Sequence, residues 1–152
     1  MENLAFGGDE MLKSNNQYGL SSLRLIVMRI PYALTGILFG LTVWPTLFQF
    51  RGEFEPTEGV AYAFWGALTL LALIGLRFPV KMLPILLIQF LYKLIWILAV
   101  GLPHLNKETM SAEMLELLQA NAIGVAIDAI AIPWLFVARN YIGQMFTRSS
   151  EK

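Results

Sequence analysis

The stretch LIQFLYKLIWIL, Leu87 to Leu98, places one ionisable side chain, Lys93, in the middle of an apolar run. An ammonium at the centre of a bilayer costs about 2.5–3.5 kcal/mol on insertion scales, so such a residue needs a partner or a task. A second apolar run, IGVAIDAIAI, carries one acid, Asp128, also near its middle. If the two runs are helices crossing in opposite directions, Lys93 and Asp128 meet at one depth. An ion pair there removes two isolated charges from lipid at once. Helical spacing puts Gln89, Lys93, Trp96 and Val100 on one face, and Asn121, Gly124, Asp128, Leu135 and Arg139 on a face of the other helix. Gly124 allows close approach beside the pair. Thr69, in a further apolar run, reaches similar depth and is a candidate third member.

Three kinds of chemistry fit such a centre. The pair can fix the register of a bundle, since buried charges add specificity more readily than stability. It can exchange partners or protons in a carrier. Gln89, Tyr92, Lys93 and Trp96 can hold a carbonyl-bearing lipid or quinone head group, and the Lys93 amine can form a Schiff base with Asp128 as counter-ion. No second catalytic constellation supports the last option, and neither a nucleophile elbow nor an HExxH motif occurs. The balance is therefore against an enzyme, and no catalytic residue is assigned.

Other absences narrow the choice. Without cysteine there is no disulfide, iron–sulfur cluster or thiolate zinc site. The single histidine, His104, rules out bis-histidine haem ligation and is expected as a solvated loop residue rather than a metal ligand. No metal and no cofactor are expected. The formal net charge of zero gives no argument for nucleic acid.

The elements that must position these residues follow from composition. Of 152 residues, 57% are hydrophobic and 14% charged. Soluble domains run near 45–50% and about 25%, so the excess apolar surface suits lipid. A hydrocarbon core of about 30 Å needs roughly 20 apolar residues per helix. Four runs qualify, at about 29–50, 59–76, 82–102 and 118–138. Backbone groups cannot stay unpaired in lipid and the runs do not alternate, so helices are expected rather than a barrel. Short connections make neighbours antiparallel. The expected fold is all-α, an antiparallel four-helix transmembrane bundle over residues 29–142.

Residues 1–28 and 143–152 are expected as cytoplasmic tails. MENLAFGGDEMLKSNNQYGLSS is too polar for a signal peptide. Ser111 is a candidate cap for a helix with Glu113 and Glu116 in its first turns. Gly36 and Gly40 form a GxxxG face for close helix packing, within the chain or between copies. Pro133 is expected to kink the last helix beside Asp128 and free a backbone carbonyl.

Orientation follows from Lys and Arg. Lys13, Arg24, Arg29, Arg77, Lys81, Arg139, Arg148 and Lys152 fall on one side, against Arg51 and Lys107 on the other. The positive-inside rule then places both termini in the cytoplasm. Trp44, Tyr62, Trp65, Trp134 and Tyr141 lie towards span ends, where an aromatic belt belongs.

RFPVKMLPILLIQFLYKLIWILAVGLP, residues 77–103, followed by IGVAIDAIAIPWLFVARNYI, residues 123–142, resembles a group of small, uncharacterised four-helix integral membrane proteins of bacteria. The pattern comprises a basic turn, an L-P-x-L-L run, an acid or amide ahead of Y-K-x-I-W, and a terminal D-x-x-x-I-P-W. Gln89, Tyr92, Lys93, Trp96, Asp128, Pro133 and Trp134 match it. A looser likeness, on Gly36 and Gly40, is to DoxX-like proteins. These resemblances imply a bacterial inner membrane and bring no activity with them.

The leading expectation is a structural or accessory membrane subunit centred on Lys93 and Asp128. It is surrounded by membrane lipids and self-associates or joins a larger membrane complex. The alternatives are an oligomeric proton-coupled transporter or carrier, and a lipid- or quinone-binding membrane enzyme.

Overall fold

The computed structural model describes residues 18–49, 52–105 and 110–142. The expected C-terminal tail and most of the expected N-terminal tail lie outside these residues, as do Lys13, Arg51, Lys107, Arg148 and Lys152. Among the described residues the structure is all helical. Four helices are long and apolar enough to span a membrane: α1 Ser22–Gln49, α2 Pro56–Arg77, α3 Leu83–Leu105 and α4 Ala112–Ala131. A final helix, α5, starts at Trp134–Val137 and continues as a π-helical turn over Ala138–Ile142.

Local chemistry sets the boundaries. Ser21 caps α1, its hydroxyl accepting from the Arg24 N–H at 3.3 Å. That cap starts the first helix earlier than residue 29, so Arg24 belongs to the helix and not to a tail. Ser111 caps α4 through the Met114 N–H at 3.2 Å, with Glu113 in the first turn. Pro56 and Pro84 occupy first turns, where a missing N–H costs nothing. Pro31 and Pro45 lie inside α1, on either side of a π-helical segment, Leu34–Phe39.

α1 packs along α2, and its first half also packs on α4; α3 packs most closely on α4 and more lightly on α2. The Gly36–Gly40 face is used within the chain. A Cβ at Gly36 would come 2.9 Å from Leu73, and at Gly75 2.4 Å from the Tyr32 ring. Tyr32 meets Gly75, Gly36 meets Leu73 and Gly40 meets Thr69, so numbers rise on α1 as they fall on α2. On α3 and α4, Lys93 lies at Gly124 and Gly101 at Leu118. Both orders are compatible with antiparallel helices.

The distribution of polarity is inverted relative to a water-soluble bundle. Leu23, Leu41, Val60, Ile95, Ile123 and Ile130 point outward and are exposed. Thr35, Thr69, Gln89 and Asp128 are buried. Apolar surface on this scale belongs against lipid.

Candidate functional site: an intramembrane polar centre

Lys93 and Asp128 are brought together. The Lys93 Nζ donates to Asp128 Oδ2 at 2.8 Å. The Asp128 side chain is 1% exposed and that of Lys93 13%. Gly124, one turn before Asp128, leaves the groove through which the lysine reaches across. A Cβ there would lie 3.0 Å from both Cδ and Nζ of Lys93. The Tyr92 ring centroid is 5.8 Å from the Lys93 Nζ, and its edge packs on Phe64 of α2.

Gln89, one turn before Lys93, is fully buried and reaches α1 rather than α4. Thr35 Oγ1 donates to its Oε1 at 2.9 Å. Among the described residues the buried Gln89 Nε2 has no hydrogen-bond partner. Rotating the amide does not help, because one hydroxyl cannot satisfy both ends.

Other expected members are placed elsewhere. Thr69 does not join the pair; it accepts from Trp44 Nε1 at 3.0 Å and donates to the Gly66 carbonyl at 2.8 Å. Thr69 faces α1, where it lies beside Gly40 and Trp44. Asn121 donates to the Leu117 carbonyl of its own helix at 2.9 Å, so its amide is satisfied locally. The Trp96 indole lies against Gly101, in the π-helical turn Ile97–Gly101. His104 is not in a loop: it is half-buried in the last turn of α3, with Nδ1 2.7 Å from the Val100 carbonyl oxygen.

Pro133 does more than kink the last helix. α4 ends at Ala131, Ile132 is extended with φ −68° and ψ 123°, and the chain resumes at Trp134. The periodicity that aligned Leu135 and Arg139 with Asp128 is lost there; Leu135 is 76% exposed and Val137 is buried instead. The freed carbonyls are met by side chains. Trp134 Nε1 donates to the Ala129 carbonyl at 2.8 Å, and an Arg24 Nη2 donates to the Ile132 carbonyl. Arg29 Nε donates to Leu76 at 3.0 Å and Tyr32 Oη to Pro79 at 3.0 Å, tying α1 to the end of α2.

Thr35, Arg24, Arg29 and Tyr32 escaped the sequence reading. Thr35 is a small polar residue beside Gly36 in an apolar helix, which marks a packed face. The arginines counted only as orientation signals, and their carbonyl partners become visible only once the helices break.

Among the described residues, no group of three or more acidic or histidine side chains is placed to hold a metal ion. No protein-family model, curated protein or solved structure matches the chain.

Proposed function

We propose that this is a structural or accessory subunit of a bacterial cytoplasmic membrane, with both termini on the cytoplasmic side. It works among lipids as a homo-oligomer or part of a larger membrane complex. The likeness of residues 77–103 and 123–142 to small bacterial four-helix proteins, and the excess of Lys and Arg on one side, support that placement. The observation that carries the structural role is the closed geometry of the pair. Asp128 is sealed at 1% exposure by an ammonium 2.8 Å away, so a substrate reaching the carboxylate must first displace Lys93.

Proteoliposomes loaded with a pH-sensitive dye test this role. No proton flux above empty vesicles is expected from the native protein. Flux that disappears in folded Lys93→Met and Asp128→Asn variants would replace the structural role with transport.

A further inference from the structure

We propose that the cleft between the Tyr18–Leu20 segment and α5 binds the head group of an anionic phospholipid. This rests on the membrane placement above. The cleft encloses about 390 Å³, and its lining includes Tyr18, Leu20, Leu135, Phe136, Arg139 and Asn140. It opens at the end of the bundle where α4 has broken and the chain restarts.

Charge selects the ligand. Arg24, Arg29, Arg77, Lys81 and Arg139 all belong to this end. The described carboxylates other than Asp128 (Glu53, Glu55, Glu58, Glu113 and Glu116) belong to the α1–α2 connection, the start of α2 or the start of α4, at the other end. Arg24 and Arg29 each donate to a backbone carbonyl, and among the described residues neither is paired with a carboxylate. Arg139 is exposed in the cleft itself. A basic rim at the depth of lipid phosphates attracts anionic lipid with about 1 kcal/mol per Lys or Arg.

The walls suit a lipid more than a free anion. The Tyr18 ring stands edge-on to Phe136 at 6.0 Å, a fixed aromatic wall beside Leu20 and the exposed Leu135. These groups match the upper part of an acyl chain. Asn140 donates its amide to Phe136 at 2.9 Å, so its oxygen remains to accept from a head-group hydroxyl. Arg139 supplies a planar donor fork for the phosphate. Arg77 and Lys81 share the rim but lie over the Phe78 ring, outside the cleft lining.

The test uses the full chain in nanodiscs of equal phosphatidylcholine and phosphatidylglycerol, with retained lipid counted by native mass spectrometry. Native protein should retain phosphatidylglycerol in preference. Arg139→Gln should lower that preference about fivefold, the equivalent of one basic contact. Arg139→Lys should keep part of it, and Arg77→Gln, on the rim but outside the cleft lining, should lower it clearly less than Arg139→Gln does. Excess inorganic phosphate should not displace the lipid; displacement would overturn the lipid assignment in favour of a free anion. Equal losses in Arg139→Gln and Arg77→Gln, or no head-group preference in a protein that enters the discs, would overturn the site while leaving the membrane placement intact. Failure to enter the discs would overturn both.

Discussion

Lys93 occupies the groove that Gly124 leaves open: a methyl group at residue 124 would stand 3.0 Å from the lysine Nζ. A small residue at 124 therefore gives the ammonium room to reach Asp128. An alanine needs only a shift of a few tenths of an ångström from a flexible side chain, and regains about 1 kcal/mol of helix propensity. Gly124→Ala should stay within about 1 kcal/mol of native in reversible unfolding from mixed micelles. Gly124→Leu should expel the lysine, strand Asp128 and cost about 3–5 kcal/mol.

The Trp134 indole substitutes for the N–H that Pro133 lacks. Trp134→Phe leaves the Ala129 carbonyl without the 2.8 Å bond it now accepts, at a cost of about 0.5–1.5 kcal/mol, since that bond is exposed. In a Pro133→Ala background the backbone regains a donor for that carbonyl. A double-mutant cycle by the same unfolding assay should show the Trp134→Phe cost at least halved there. Equal costs in both backgrounds would separate the indole from the break.

The four spans were legible because lipid imposes length and composition on a helix, and those are written locally in the chain. The meeting of Lys93 with Asp128 was legible for a related reason: two charges at the same depth in adjacent hairpin helices have few other options. Thr69 was misplaced because depth fixes height in the bundle but not rotation, and Asn121 because a face shared with Asp128 does not fix where its amide bonds. Thr69 turns to Trp44, and Asn121 finds the Leu117 carbonyl on its own helix. The break at Ile132 was legible only as a kink. Whether a proline bends or stops a helix depends on which side chains reach the freed carbonyls, and here those come partly from Arg24, distant in sequence.

Close packing of α1 on α2 separates two glycines that look alike in the sequence. A Cβ at Gly75 would lie 2.4 Å from the Tyr32 ring, whereas one at Gly40 would meet Thr69 at an ordinary 3.7 Å. Gly75→Ala should destabilise by about 3 kcal/mol through overpacking. Gly40→Ala should be neutral or stabilising by up to about 1 kcal/mol. Thermal melts in detergent distinguish the two.

The absence of cysteine provides a clean background for topology. Glu55 and Lys81 are exposed at opposite ends of α2. With the termini cytoplasmic, Glu55→Cys should react with an impermeant maleimide on intact cells, and Lys81→Cys only after the membrane is opened. The reverse pattern would invert the orientation.

The ion pair itself is tested most directly by a double-mutant cycle on unfolding free energy in mixed micelles, using Lys93→Met, Asp128→Leu and the double variant. An ion pair that locks α3 to α4 predicts that each single change costs about 3–5 kcal/mol, since it strands one buried charge, while the double variant returns to within about 1 kcal/mol of native. Single changes that leave stability unaltered, with a double variant equal to their sum, would contradict it.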